Sequence, residues 1–144
     1  MQIRQIEYNS EDYKNELKLR DEVLRKPLGM NLNNDNLTAD KIDVHFGVFV
    51  KSTLIGVLIL TKISPDDVKM RQVAVAEKWR AKTIGSQLVF FAEQYARNKG
   101  YKTMQLNARK TAVAFYEKLG YEKISEEFLE INIPHYKMRK SLKY

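Results

Sequence analysis

One arrangement limits what this chain can fold into more than any other. The run "VKMRQVAVA" alternates like a strand, the next apolar residues fall at Ile84, Leu88, Phe91, Ala92 and Tyr95, and "YKTMQLN" alternates again. Steps of three and four put the middle set on one stripe of a helix, closed by Gly100, with Arg97 and Lys99 in its last turn. A strand, a helix and a strand joined without a hairpin need a crossover, so a parallel strand pair is expected.

The flanking segments predict antiparallel neighbours. Ile3, Ile6 and Tyr8 mark a first short strand, and Asn9 or Ser10 can cap a helix carrying Tyr13, Leu17, Val23 and Leu24 that ends near Pro27. From Lys26 to Lys41 the chain is rich in Asn, Asp, Gly and Pro, residues that favour turns. "HFGVFV" and "TLIGVLILTK" around "KS" predict a hairpin, with a turn at "SPDD" before the next strand. Near the end, "TAVAFYEKLG" predicts a short helix capped by Thr111 and ended by Gly120, followed by strands near "YEKIS" and "HYKMRK". The expected architecture is an α/β fold with a mixed, mostly antiparallel sheet covered by helices. At 144 residues, 44% of them hydrophobic, one domain spanning 1–144 suffices for a single core.

Composition narrows the chemistry. Without cysteine there is no disulfide framework, thiolate nucleophile or cysteine-ligated metal, and no metal site is expected. "MQIRQIEYNS" is a charged alternating run unlike a signal peptide, and the apolar runs are too short to cross a bilayer, so the expectation is a soluble cytoplasmic protein without membrane contact. A net charge of +7 favours an anionic partner. The basic residues are scattered rather than gathered in one stripe, and no recognition motif accompanies them, which argues against nucleic acid.

The stretch "WRAKTIGSQL" sets Lys78, Arg80 and Lys82 around the start of the long helix. Basic side chains there oppose the helix dipole unless an anion lies between them, and free N–H groups at such a turn suit phosphate oxygens. Solvated surface cations are the alternative. The stretch has neither a P-loop ending nor a G-x-G-x-x-G pattern.

The succession "VAVAEKWRAKTIGSQLVFFAEQYARNKGYKTMQLNA" followed by "AVAFYEKLGYEK" resembles the GNAT superfamily of acetyl-CoA-dependent N-acetyltransferases, whose cofactor loop follows [QR]-x-x-G-x-[GA]. Arg80 and Gly85 fit that pattern, while Thr83 stands where the first glycine is usual. "LRDEVLRKPLG" and "IPHYKM" further resemble a bacterial branch of the family. The resemblance implies helices on both faces of the sheet and a central parallel pair that splays apart. It also implies that backbone groups at Val73, Ala74 and Val75 pair with the pantetheine arm of acetyl-CoA. The pyrophosphate is expected on the N–H groups of Arg80, Ala81, Lys82, Thr83, Ile84, Gly85 and Ser86, with a Thr83 at negative φ offering its hydroxyl. Asn107 and Arg109 are candidate cofactor contacts, Arg109 standing where many relatives carry asparagine.

Tyr116, in "FYEKLGY", matches the family tyrosine that protonates the departing thiolate, a role suited to a phenol of reference pKa ~10. The alternative is a packing aromatic. His135 can serve as base or substrate contact, or be structural; His45 is expected to be structural. Glu126, Glu127 and Glu130 can attract a cationic amine or form a solvated loop, and Asp35, Asp40 and Asp43 can favour a polyamine or other cationic acceptor. The expected activity is acetyl transfer to a primary amine of a small molecule or protein by direct attack in a ternary complex. A CoA-binding module without catalysis and a basic nucleic-acid binder are the alternatives. Strand edges near the C-terminus make a homodimer possible.

Overall fold

The computed structural model describes Met1–Lys143; Tyr144, the last residue of the expected domain, lies outside the described residues. The chain forms two compact units, Met1–Thr61 with Gln72–Ala92, and Lys62–Arg71 with Glu93 onward.

The first unit opens with β1 (Gln2–Ile6). Tyr8 falls beyond that strand, because Asn9 turns the backbone to a left-handed φ of 60°. Ser10 then caps α1 (Glu11–Arg20), its Oγ accepting the Tyr13 N–H at 3.1 Å. The helix continues as one wider turn, Asp21–Arg25, and one tighter turn, Lys26–Leu28, so it closes near Pro27 by changing its winding. Two more single turns, Leu32–Asn34 and Thr38–Lys41, occupy the irregular stretch, and Asp35 accepts a forked pair of bonds from Arg25 at 3.0 and 2.8 Å. Strands β2 (Val44–Val50) and β3 (Thr53–Lys62) make the expected hairpin, Lys51 taking a left-handed φ of 56°. β1 and β2 are antiparallel, as are β2 and β3. Ile6, Tyr13, Leu19, Phe49, Val57 and Ala74 form a shared core, at about 1.5–3 kcal/mol for each large side chain fully removed from water.

Strand β4 (Asp67–Val75) begins in the second unit and ends in the first, and Gln72 within it has a φ of 55°. In the second unit its Asp67–Lys69 segment lies parallel to Thr103–Gln105 of β5 (Thr103–Arg109), the pair expected from the crossover. The connecting helix α2 (Ile84–Asn98) ends as predicted: Gly100 has a φ of 88°, and its N–H and that of Tyr101 close on Arg97 and Ala96, each at 3.0 Å. Strand order in this unit continues from β5 to β8 (Ile133–Ser141) and β6 (Glu122–Lys123), while β7 (Phe128–Glu130) also pairs with β8. The "YEKIS" strand is thus only two residues long, and part of the expected Glu126–Glu130 loop is a strand. The sheet is mixed, with one parallel pair among antiparallel ones.

Candidate active site

The first unit carries the loop between β4 and α2. Ala74 is buried, and the Val75 carbonyl, expected to be free, accepts Nε of Arg80 at 3.2 Å. Arg80 folds back over five residues, so its charge sits on the loop's own backbone. Thr83 departs from expectation more clearly. Its φ is +63°, not negative, and Ala81 has a φ of +61°. Two non-glycine residues therefore hold left-handed conformations two positions apart, at a cost of about 1–2 kcal/mol each. The Thr83 hydroxyl donates to the Lys82 carbonyl at 2.6 Å and accepts Nε2 of Gln87 at 2.8 Å, while its own carbonyl accepts the Gln87 N–H at 3.0 Å. Those local bonds hold the torsion that glycine would adopt unaided. The N–H groups of Ile84, Gly85 and Ser86 that follow have no partner in an earlier helical turn, and no acidic side chain stands in the first turn to offset the dipole. Arg80 and Lys82 are exposed. The loop thus combines uncompensated N–H groups with nearby cations.

The second unit carries Tyr116 on α3 (Val113–Lys118). Thr111 does not cap this helix: it lies in a tight turn, Lys110–Ala112, and Ala112 takes the cap position without a side-chain bond. The helix end is better defined. Gly120 has a φ of 96°, its N–H bonds the Glu117 carbonyl and the Tyr121 N–H bonds the Tyr116 carbonyl, each at 3.0 Å. This closure brings Tyr116 and Tyr121 together edge to face at 5.8 Å, the apolar contact such an ending favours. Tyr121 is fixed in turn by Glu93, whose carboxylate accepts its hydroxyl at 2.7 Å and Lys140 at 3.0 Å. Burial, and then the Glu93 charge, raise the Tyr121 hydroxyl far above the ordinary phenol range. Tyr116 is 8% exposed, and burial pushes its hydroxyl up to about 12. It is a phenol that keeps its proton at any physiological pH.

His135 and Asn107 come together on one sheet face, and Arg109 lies opposite His135 in the β5–β8 register. Asn107 donates Nδ2–H to Glu130 at 3.0 Å. His135 is buried, donates from Nδ1 to the Ile133 carbonyl at 2.7 Å, and turns Nε2 to within 3.4 Å of Glu130. Glu126 and Glu127 are exposed, and Glu127 meets Lys110 at 3.2 Å.

Sequence reasoning missed a buried ionic group in the first unit. Glu16, Arg20, Asp40 and His45 are each no more than 1% exposed. Arg20 Nη1 reaches Glu16 at 3.0 Å and Asp40 at 2.8 Å; His45 meets Glu16 at 2.8 Å and the Asp40 carbonyl at 2.8 Å; Tyr13 donates to Asp40 at 2.6 Å. Burial alone would push His45 down, but the Glu16 carboxylate's bond and charge outweigh it and raise the imidazole. Burial likewise opposes the Asp40 charge, yet bonds from Tyr13 and Arg20 hold that carboxyl below its usual range. Ligand atoms of Glu16, Asp40 and His45 lie within 4.8 Å of one another, a spacing a metal ion can use, but the Arg20 guanidinium already takes the cation's place. The three aspartates expected to favour a polyamine are engaged here: Asp40 in this group, Asp35 with Arg25, and Asp43 as acceptor from Thr61 at 3.0 Å.

The family model described as an acetyltransferase (GNAT) domain matches residues 22–142. Among curated relatives, the uncharacterised N-acetyltransferase YjcF of Bacillus subtilis is 37% identical over 73 residues, covering 50% of this chain and 52% of the relative. The protein YyaT of the same organism is 32% identical over 74 residues, covering 51% and 50%. The matched stretch thus spans about half the length of these relatives. Among solved structures, a Lactobacillus plantarum protein provisionally assigned as an N-acetyltransferase superposes with a TM-score of 0.87 at 21% identity, covering 99% of this chain and 100% of the other. A GNAT family acetyltransferase from Elizabethkingia anophelis with acetyl-CoA bound gives 0.73 at 19% identity and 97% of each chain. At such identity the superpositions speak for the fold.

Proposed function

The chain belongs to the family of acetyltransferase (GNAT) domains, and on that premise we propose that it moves an acetyl group from acetyl-CoA to a primary amine of a small molecule or protein. The observation that carries the reading is the left-handed pair Ala81 and Thr83 inside a loop that otherwise fits the family pattern at Arg80 and Gly85. With threonine where the first glycine is usual, its hydroxyl and carbonyl bonds hold a backbone path that lets N–H groups approach a phosphate. Arg80, Lys82 and the N–H groups from Ala81 to Ser86 fit the pyrophosphate, with charge-assisted bonds from the two cations. Backbone at Val73 and Ala74 suits the pantetheine arm, since such pairing needs no particular side chain.

Acetyl-CoA supplies an acyl group activated as a thioester. Tyr116 donates its hydroxyl hydrogen to the departing sulfur. With the phenol pushed up to about 12 and a simple thiol near ~8.5, complete transfer to a free thiolate is uphill by about 5 kcal/mol. The donation therefore accompanies bond cleavage, while the sulfur is still gaining charge. The amine attacks directly and no covalent enzyme intermediate forms; the chain has no cysteine to carry one. A cytoplasmic setting belongs to the same reading. No described helix is long and apolar enough to cross a membrane.

Calorimetric titration with acetyl-CoA, followed by an amine panel read through free CoA release, tests the proposal. Binding in the micromolar range with turnover on at least one amine is expected. Absence of any binding at millimolar acetyl-CoA overturns it.

A further inference from the structure

The turn between β7 and β8 is strained where strain is hard to hold. Ile131 and Asn132 both take left-handed φ values, 46° and 61°. Asparagine tolerates that region, but for a β-branched isoleucine it is a true outlier, at about 1–3 kcal/mol. The two-residue turn fixes a register in which Phe128 faces His135, Leu129 faces Pro134 and Glu130 faces Ile133. A longer, relaxed turn would release that register. What the strain secures is the place of Glu130.

Three groups meet there. One Glu130 oxygen accepts Nδ2–H of Asn107 at 3.0 Å, and the other lies 3.4 Å from Nε2 of His135. The His135 Nδ1 faces the Ile133 carbonyl at 2.7 Å, and since a carbonyl only accepts, Nδ1 carries a hydrogen. In the neutral ring Nε2 is then an acceptor facing a carboxylate, two acceptors between which one incoming proton can be held. The ring itself is covered: its side chain is 4% exposed and Phe128 stacks on it at 6.0 Å, whereas Glu130 is 47% exposed. Any substrate meets the carboxylate, with the imidazole behind it.

We propose that Glu130 is the group that receives the acceptor amine, and that His135 is its positioning partner and proton store, with Asn107 holding the second oxygen. The proposal rests on the acetyl-transfer reading. The ammonium of the acceptor docks on Glu130 and gives one proton to the Glu130–His135 pair, which frees the nitrogen lone pair for attack. After the carbon–nitrogen bond forms and the carbon–sulfur bond breaks, the second nitrogen proton replaces the one Tyr116 gave to sulfur. The pair releases its own proton to water through exposed Glu130, so each turnover yields amide, thiol and one proton. Arg109 opposite His135 and Lys137 opposite Asn107 share this sheet face by register.

The test uses the full-length protein and Glu130→Gln, Glu130→Asp and His135→Asn. With a monoamine acceptor at neutral pH, Glu130→Gln is expected to lower kcat/KM about 100-fold while acetyl-CoA affinity by calorimetry is unchanged, and Glu130→Asp to recover part of it. The deficit of Glu130→Gln should shrink as pH rises towards ~10 and solvent supplies free amine. A deficit constant with pH overturns the proton role. Loss of acetyl-CoA binding in wild-type protein overturns the acetyl-transfer reading instead. Nitrogen-15 spectra of His135 read the arrangement apart from activity: Nδ1 protonated in wild type is expected, and a neutral ring protonated on Nε2 overturns it. His135→Asn should lower kcat with little change in thermal unfolding; a wild-type kcat in that variant removes His135 from the proposal.

Discussion

His45 Nδ1 lies 2.8 Å from Oε2 of Glu16, with each side chain 1% exposed, and this contact ties β2 to α1. Removing one partner from a buried pair leaves a charge uncompensated, which costs more than the pair contributes. Glu16→Ala should therefore lower unfolding free energy by about 3–5 kcal/mol in urea titration. A loss below about 1 kcal/mol would show that water reaches the group.

The same contact sets a pH dependence. His45 is raised above the unfolded value of ~6.5, so its contribution is complete below that pH and declines as pH rises through the folded value. Asp40 is lowered, so its contribution is present above ~3.9 and is lost in acid as pH falls through its folded value. Thermal unfolding across pH should show a decline above neutrality that His45→Gln abolishes. An unchanged alkaline slope in that variant would assign the decline elsewhere.

Tyr116→Phe removes a hydrogen donor without removing the ring. Turnover should fall about 100-fold, read by CoA release, with acetyl-CoA affinity and thermal stability nearly unchanged. Full activity at every pH would leave Tyr116 as a packing aromatic against Tyr121.

Thr83 can be tested by separating torsion from hydroxyl. Thr83→Gly takes the φ of +63° without strain, so stability should stay within about 1 kcal/mol of wild type and acetyl-CoA binding should persist. Thr83→Val keeps the branch but loses the bonds to Lys82 and Gln87, and should cost about 1–2 kcal/mol and weaken binding. Equal behaviour of the two variants would mean that the loop does not depend on this torsion.

Much of the fold was legible because its elements announce themselves locally. The stripe through Ile84, Leu88 and Ala92, the "KS" hairpin, and glycines at 100 and 120 each report a period or a turn. β7 was not legible, since "FLE" is short and follows two glutamates that resemble a solvated loop. The ionic group was hidden for another reason. Glu16 and Arg20, four apart, look like an ordinary surface pair, and their partners Asp40 and His45 arrive from a distant turn and strand. One signal was present: Tyr13, Glu16 and Arg20 share a helix face, so a buried Tyr13 implies buried charges beside it. The loop at Thr83 was legible in residue pattern but not in torsion, because sequence reports the identity of a side chain and not the bonds that hold it at a costly angle.

The left-handed pair at Ala81 and Thr83 also bears on how such proteins diversify. If ancestry in this loop is carried by backbone angle, a search keyed to glycine passes over chains that keep the angle by other means. A library randomised at both positions and selected for acetyl-CoA capture should fill with glycine, asparagine and aspartate, and empty of valine and isoleucine. Alanine and threonine would then stand as survivors at the margin of what the loop accepts.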